Sequence, residues 1–314
     1  MVRIGVIGAG KWGQNHLRVF SEVPCDLIGF ADIDASKVGL TGKYHIEYKQ
    51  DYHELLSLVD AVSIATPANT HYQVAMDCLG MGKHVLVEKP LALDSQDGEQ
   101  LVALAKKRGL VLAVGYLFRL NPAVIKLKEE LKNAGRIHYM MLRYVHSDKP
   151  PRRDSGAIFE CASHLFDILT FILRKMPHYI FCKAIKHLSQ QREDGALILL
   201  DYGDFVASLE AGWFHPLKKR DAWIMASQQT MHVDFLEQSI RRYPIEISLD
   251  KVVKGEVFDV EIDRKEPLRE EISHFIQCIE SGKKPINDGE SGWMVTRLCQ
   301  FALESAEKGK ELTL

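Results

Sequence analysis

One apolar segment of the chain carries three ionisable residues at helical spacing. Glu160 and His164 are four residues apart and Asp167 lies three further on, so on a helix all three occupy one stripe. A polar stripe on so apolar a helix must be paired internally or face a polar cavity, because unpaired burial is costly. An imidazole beside a carboxylate can exchange a proton with a substrate. The alternative for a single buried histidine is a hydrogen-bonded core residue.

A second group of residues has the spacing of a phosphate-binding turn. An apolar run over residues 2–7 leads directly into a G-x-G-x-x-G segment, which a helical pattern follows. In that context the glycines allow a tight turn, close approach of a pyrophosphate and close packing of helix on strand. The following helix would offer its N–H groups to the phosphates. The cofactor residues predicted here are Gly8, Gly10, Lys11, Trp12 and Gly13.

An acidic residue stands where a ribose would be bound. Asp32 ends the second predicted strand, 22 residues after Gly10, a position from which a carboxylate accepts hydrogen bonds from a ribose diol. A carboxylate would repel the 2′-phosphate of NADP, and the nearest basic residue is Lys37. We therefore predict NAD as the cofactor, with NADP less favoured. The alternative is an ordinary loop carboxylate beside a glycine-rich turn.

Two short motifs follow the fourth and fifth predicted strands. Residues 65–67 read A-T-P and residues 88–90 read E-K-P. In open α/β sheets, ligands bind outside the carboxyl ends of the strands, which is where both motifs would lie. From the residues alone, a simple strand-ending turn is an equally favoured reading of Thr66 and Pro67.

The glycine turn, the A-T-P segment with His71 after it, and the E-K-P segment together resemble the Gfo/Idh/MocA family of oxidoreductases. The resemblance covers the whole chain in order and spacing. Stretches at 119–124, 213–220 and 266–271 are similar to the nucleotide-sugar branch, the UDP-N-acetylglucosamine 3-dehydrogenases and their relatives. The resemblance implies hydride transfer between nicotinamide and a secondary alcohol or ketone of a sugar. It adds these predicted cofactor residues: Ala65, Thr66, Pro67, His71, Glu88 and Lys89.

The resemblance also implies a catalytic pair. Family enzymes use the lysine of E-K-P and the histidine of an Asp-x-Gly-x-His segment, which match Lys89 and His164. Glu160 and Ala162 replace the common Asp and Gly of that segment. We expect His164 to act as the general base. Across a crevice between two domains, Lys89 would stabilise charge on the substrate oxygen, and Glu160 would orient one of the pair.

Other polar and aromatic residues are candidates for substrate binding. For Lys218 and Arg220, contact with a diphosphate and an ordinary solvated basic loop are equally favoured. Tyr116 either touches the nicotinamide or sugar, or belongs to the core. The expected substrate contacts are Lys89, Tyr116, Arg119, Asn121, His164, Asp167, Trp213, Lys218 and Arg220.

The order of elements predicts an α/β protein of two domains. Strands alternate with helices over residues 1–120, which predicts an NAD(P)-binding Rossmann domain with a doubly wound parallel sheet. Residues 121–314 contain a long apolar helix, consecutive strands and two final helices. This order predicts an α+β substrate-binding and oligomerisation domain with a largely antiparallel open sheet.

Composition limits the partners and the location. The 40 basic and 42 acidic residues nearly cancel, which gives no support for binding nucleic acid or an anionic membrane. With no long apolar run and no leader-like segment, we expect a cytoplasmic protein without a membrane span. No cysteines or histidines stand at the spacing of metal ligands, so no metal is expected. An open sheet face needs cover, and family members commonly pair through it, so we expect a homodimer or homotetramer.

Two alternatives stay open at this point. Within the same chemistry, the substrate could be a free sugar, an inositol or a sugar acid. A different class of protein would be a non-catalytic NAD-binding sensor. Retention of Lys89 and His164 weighs against the sensor, whereas the replacement at Glu160 keeps it open.

Overall fold

The computed structural model describes residues 1–148, 154–188 and 191–314. The chain forms two compact units, the first from Met1–Leu117 and Glu266–Thr296, the second from Phe118–Lys265 and Arg297–Leu314. The predicted boundary near residue 120 lies close to the first of these divisions. The predicted division differs in one respect, because it assigned residues 266–296 to the second domain.

The first unit is built on one parallel sheet of six strands in the order β3-β2-β1-β4-β5-β6. The strands are β1 (Arg3–Ile7), β2 (Asp26–Ala31), β3 (Glu47–Lys49), β4 (Ala61–Ile64), β5 (His84–Val87) and β6 (Leu112–Val114). The direction of winding reverses between β1 and β4, and the carboxyl ends of strands at such a point are where a dinucleotide binds. The predicted doubly wound parallel sheet is confirmed.

Nine α-helices lie within the described residues. They are α1 (Lys11–Phe20), α2 (Leu40–Tyr44), α3 (Tyr52–Leu56), α4 (His71–Gly80), α5 (Ser95–Arg108), α6 (Pro122–Glu130), α7 (Ser163–Leu173), α8 (Pro267–Ser281) and α9 (Gly289–Lys308). The signals for α5 are strong at both ends: Asp94 accepts a hydrogen bond from the Gln96 amide, and Gly109 takes the left-handed conformation at the C-cap. The helical turns over residues 35–44 were not predicted.

Helix α8 explains why the chain returns to the first unit. Leu268, Ile272 and Phe275 lie on one face at helical spacing and are buried in the same core cluster as Ile4 and Leu17. Burying each such side chain stabilises the fold by about 1.5–3 kcal/mol. The first unit therefore needs a segment that follows strands β7 to β15 of the second unit's sheet in sequence.

The second unit contains a mixed sheet in the order β14-β13-β12-β11-β7-β10-β9-β8-β16, with β15 paired to β13. Its strands are β7 (Ile137–Val145), β8 (Tyr179–Ile185), β9 (Gly195–Asp201), β10 (Val206–Gly212), β11 (Lys219–Ala226), β12 (Gln229–Asp234), β13 (Ser239–Ile247), β14 (Val252–Lys254), β15 (Phe258–Val260) and β16 (Leu312–Thr313). Among the described strands of this second sheet, only β7 and β10 pair in parallel. The predicted largely antiparallel sheet is confirmed.

One face of this sheet packs against the long apolar helix. The predicted helix from Ile158 to Leu173 begins with a π-helical turn over Ile158–Ala162 and continues as α7. The π turn contacts β7, β9 and β10, and α7 contacts β7. Within the described ranges, the model contains no helix whose length and hydropathy would suit a membrane span.

Candidate active site

The glycine turn has the geometry that its three glycines were expected to require. Gly8 has φ +89°, a region that favours glycine. A Cβ on Gly13 would lie 1.8 Å from the Gly8 carbonyl oxygen, so a side chain there is excluded. At Gly10, by contrast, the described residues beyond its own turn of chain place no atom within 4 Å of the position of a Cβ. The turn therefore needs Gly8 and Gly13 for its own fold, whereas the space at Gly10 fits a pyrophosphate.

Helix α1 begins directly at this open space. Gly10 is its N-cap, and among the described residues no side chain caps it and no acidic residue lies in its first turn. Its N-terminal N–H groups and the positive end of its dipole can therefore serve an anion. Lys11 and Trp12 follow as exposed residues of the first turn.

Asp32 is fixed beside the glycine turn by two backbone donors. Its Oδ2 accepts a hydrogen bond from the Ala9 amide at 2.6 Å, and its Oδ1 accepts one from the Asp34 amide at 2.8 Å. The carboxylate thus lies next to the turn that would hold the pyrophosphate. Charge-assisted hydrogen bonds of this kind hold a side chain firmly.

His71 joins the ends of β4 and β5. Its Nδ1 lies 2.7 Å from the Pro90 carbonyl oxygen and its Nε2 lies 3.0 Å from that of Thr66. Carbonyl oxygens only accept, so a ring that makes both bonds carries a proton on each nitrogen. The predicted cofactor residues of the A-T-P and E-K-P segments are thereby held together, with a cis peptide bond between Lys89 and Pro90.

A buried polar network under Lys89 was not predicted. The Glu88 Oε1 lies 3.0 Å from the His16 Nε2, and the His16 Nδ1 lies 2.7 Å from the Ser63 Oγ. The Lys89 amide donates to the Glu88 Oε2 at 3.2 Å. Burial alone would raise the pKa of Glu88, but the charges and hydrogen bonds of His16, Lys89 and His71 outweigh it and lower that pKa.

One feature of the sequence could have indicated this network. His16 lies on the buried stripe of α1, together with Gly13, Leu17 and Phe20. A histidine on such a stripe needs an internal partner, although the helical pattern does not reveal which residue that is. The partner, Glu88, is 72 residues away in sequence.

In the second unit, the start of the long helix differs from the prediction. Glu160 lies in the π turn, so its alignment with His164 is not that of a regular α-helix. The turn is anchored by Glu193, whose Oε1 accepts a hydrogen bond from the Ile158 amide at 2.9 Å. Burial raises the pKa of Glu193.

The polar residues of the predicted stripe have separate partners. The Trp213 Nε1 donates to the Glu160 Oε2 at 2.7 Å. The Arg119 Nε donates to the Asp167 Oδ1 at 2.7 Å, and both side chains are buried. Arg119 and Asp167 thus form a buried ion pair, and Trp213 positions the Glu160 carboxylate.

His164 lies among aromatic rings. Its ring stacks on Tyr144, with centroids 4.9 Å apart and planes at 7°, and meets Phe118 edge to face at 5.3 Å. The Arg220 guanidinium lies over the Tyr144 ring, 4.2 Å from its centroid. These contacts fix the imidazole plane, and they bring Arg220 into the same cluster.

The remaining substrate candidates occupy varied positions. The Lys218 Nζ lies 3.5 Å from the Asp148 Oδ2. Asn121 caps α6, since it accepts from the Ala123 amide and donates to the Phe235 carbonyl, both at 2.9 Å. Tyr116 is fully buried. Lys89 and Tyr116 belong to the first unit, and the other candidates to the second.

The fold and the glycine turn define a dinucleotide-binding oxidoreductase, and comparison with known proteins identifies the family. Residues 2–116 match the model for the oxidoreductase family with an NAD-binding Rossmann fold, and residues 132–237 match the GFO/IDH/MocA C-terminal domain. The chain belongs to the Gfo/Idh/MocA family and is an NAD(P)-dependent dehydrogenase of sugar-type hydroxyl groups. The alternative of a non-catalytic sensor is therefore set aside.

Individual relatives act on two kinds of substrate. UDP-N-acetylglucosamine 3-dehydrogenase from Acidithiobacillus ferrooxidans is 27% identical over 93% of both chains. Its solved structure superposes with a TM-score of 0.87 over 98% of both chains at 26% identity. Myo-inositol 2-dehydrogenase from Thermotoga maritima is 27% identical over 100% of this chain and 98% of its own. The scyllo-inositol 2-dehydrogenase (NAD(+)) from Bacillus subtilis is 26% identical over 91% and 88%.

Proposed function

We propose that this enzyme oxidises a secondary hydroxyl of a nucleotide sugar with NAD, and that UDP-N-acetylglucosamine is the substrate to test first. The observation that carries the proposal is the likeness to the Acidithiobacillus enzyme over nearly the full length of both chains. Two cations support it. Arg220 stacks on the ring that contacts His164, and Lys218 lies two residues before it. Guanidinium and ammonium groups are the usual partners of a diphosphate.

The preference for NAD is supported by Asp32. Both of its carboxylate oxygens accept backbone hydrogen bonds, so turning the carboxylate away to admit a 2′-phosphate would break them. The basic residue nearest in sequence, Lys37, has its Nζ 3.5 Å from the Asp34 carboxylate. A negatively charged, anchored side chain favours a ribose diol over a ribose phosphate.

The chemical roles follow from the types of residue. A bound nicotinamide would supply the hydride chemistry at the carbinol carbon, in either direction. His164 removes the hydroxyl proton, its ring plane held by Tyr144 and Phe118. Lys89 donates a hydrogen bond to the same oxygen and offsets its developing charge. Glu160, held by Trp213, is a positioning residue for this pair.

An inositol is the second candidate substrate. The Thermotoga and Bacillus relatives match this chain at similar identity. An inositol carries no phosphate, so it would make no use of Lys218 and Arg220. The two candidates therefore differ in what these cations contribute to binding.

A substrate panel tests the proposal. Purified protein is offered NAD with UDP-N-acetylglucosamine, N-acetylglucosamine or myo-inositol, and NADH is followed by absorbance, with NADP in parallel. We expect kcat/KM to be highest for the nucleotide sugar with NAD, by about 100-fold over the free sugar, because two charge-assisted contacts are at stake. Turnover of myo-inositol with none of the nucleotide sugar would establish the second candidate instead.

We also propose that the enzyme pairs through the outer face of the second unit's sheet. Five exposed apolar side chains lie on this face of neighbouring strands: Tyr139, Met141, Leu197, Leu199 and Val206. Exposed apolar patches of this kind mark interfaces. Met141→Lys should lower the mass measured by light scattering to that of one chain. Val253→Lys, at an exposed hairpin position, is the matched control and should leave the mass unchanged.

A further inference from the structure

A cluster of metal-ligating groups in the second unit includes the proposed positioning residue Glu160. His146, Glu160 and Cys161 are all buried, and one ligand atom from each lies within 4.8 Å of the other two. A tetrahedral zinc site places such atoms roughly 3.5 Å apart, given bond lengths of about 2.0–2.3 Å. Rotation of the three side chains would have to bring the ligand atoms to that distance when an ion binds.

The fold explains how these residues meet. Strands β7 and β10 are the parallel pair of the described sheet, with Val145 opposite Gly212. Their carboxyl ends therefore coincide, and they are followed by His146 and Trp213. The π turn packs against both strands and brings Glu160 and Cys161 to the same edge. Since His146 is 14 residues from Glu160 in sequence, spacing alone did not predict a metal site.

Groups around the cluster have the arrangement of an outer coordination shell. The Asp148 Oδ1 lies 3.1 Å from the His146 Nδ1, and a carboxylate behind a histidine is the usual support of a metal-bound imidazole. The Trp213 Nε1 donates a hydrogen bond to the Glu160 Oε2 at 2.7 Å.

We propose that His146, Glu160 and Cys161 form a site for a thiophilic divalent cation, with Zn²⁺ as the fitting ion. Thiolate, imidazole and carboxylate are the ligands that Zn²⁺ takes, and the charges of one thiolate and one carboxylate balance the ion. Binding releases the thiol proton to solvent. Three protein ligands leave a fourth position for water, which is the open form of a zinc site.

The site has a consequence for the proposed reaction, and this part rests on the proposed function. A Glu160 bound to metal is no longer available to position His164 or Lys89. Zn²⁺ is therefore an inhibitor of the dehydrogenase, and loss of Cys161 relieves the inhibition.

Cobalt binding tests the site without reference to activity. The full-length protein is titrated with Co²⁺ alone, and the thiolate-to-cobalt charge-transfer band and the bound stoichiometry are recorded. We expect one Co²⁺ per chain with that band, and displacement by Zn²⁺. Cys161→Ser should abolish the band and weaken Zn²⁺ binding at least about tenfold. Cys182→Ser, another buried cysteine of the same unit, is the matched control and should behave as wild type.

His146→Gln gives a second test should Cys161→Ser fail to fold, as judged by circular dichroism and NADH binding. It should keep the band while weakening Zn²⁺ affinity. Cobalt bound without the band, or a band that persists in Cys161→Ser, means adventitious metal only and overturns the proposal. Wild-type metal binding with no inhibition would retain the site and refute its link to catalysis.

Discussion

The glycine turn of the first unit and the histidine cluster of the second are built in different ways. Around the turn, the groups that suit a dinucleotide are backbone N–H groups and the space at Gly10, with Asp32 held by backbone donors. Around His164, the groups are side chains that come from distant parts of the chain. The Arg119–Asp167 pair spans 48 residues and the Trp213–Glu160 pair spans 53.

Because of this difference, the two regions tolerate different kinds of substitution. A backbone site depends on the absence of side chains, so it fails when an atom is added. A site made of paired side chains fails when an atom is removed, because the remaining partner is left buried without its bond. The following predictions test that contrast, beginning with the largest effect.

Removing either proposed catalytic group should greatly slow turnover, and removing His164 should leave the cofactor site intact. For His164→Ala and Lys89→Ala we expect kcat to fall by about 10²–10⁴-fold, the usual contribution of a general base or a charge-stabilising donor. NADH affinity of His164→Ala, measured by fluorescence, should be unchanged. His53→Ala, at an exposed position, is the control. Wild-type turnover in both variants would exclude the assignment.

Breaking the buried ion pair should destabilise the fold. Asp167→Asn removes a negative charge that is paired with the buried Arg119 guanidinium, which we expect to lower the free energy of unfolding by about 3–5 kcal/mol. Asp204→Asn removes the partner of Lys175 in an exposed pair and should cost about 0–1 kcal/mol. Urea denaturation measures both. Equal losses of unfolding free energy in the two variants would show that burial does not determine the contribution of an ion pair here.

Adding one methyl group should distinguish two glycines. Gly13→Ala places its Cβ against the Gly8 carbonyl and should destabilise the protein by about 3 kcal/mol. The Cβ of Gly10→Ala meets no described atom within 4 Å beyond its own turn of chain, so this variant should fold normally. It should nevertheless raise the Kd for NADH, since it fills the space proposed for the pyrophosphate. If Gly10→Ala bound NADH like the wild type, the proposed cofactor position would be wrong.

The smallest expected effect is a dependence of stability on pH. Burial opposes ionisation of Asp221, but hydrogen bonds from His232 and Arg143 outweigh it and lower the pKa of this carboxyl to about 2. A depressed pKa stabilises the fold above pH 4 or so, by about 2 kcal/mol, and the contribution is lost as the pH falls towards 2.

Asp221→Asn should therefore unfold more easily than wild type at pH 7, and the two should converge near pH 2. Melting curves across this range measure the difference. Asp259→Asn, whose partner Arg241 is exposed, should show a much smaller difference at every pH. A constant gap between Asp221→Asn and wild type would mean that ionisation of Asp221 is not its source.

The same contrast decides what could be predicted from the sequence. The doubly wound parallel sheet and the roles of Gly8 and Gly13 depend on local patterns, so the alternation of strands with helices and the spacing of the glycines were sufficient. The partners of His16, Glu160 and Asp167 depend on contacts that no local pattern encodes. The π turn at Ile158–Ala162 was missed for a related reason, since an apolar helical pattern does not reveal the wider turn.

Local sequence patterns also do not show why residues 266–296 belong to the first unit. Helix α8 reads as an amphipathic helix, and its apolar face would suit either unit. Only the assembled core shows Phe275 packed with residues of β1 and α1.

The position of α8 has a consequence for biosynthesis. A ribosome adds about 5–20 residues per second, so roughly 10–30 s separate the last residue of the first segment, Leu117, from the end of α8. During that interval the nascent nucleotide-binding half lacks Leu268, Ile272 and Phe275 and exposes the apolar surface that they cover. The half translated first thus reaches its mature form only after most of the other half has left the ribosome.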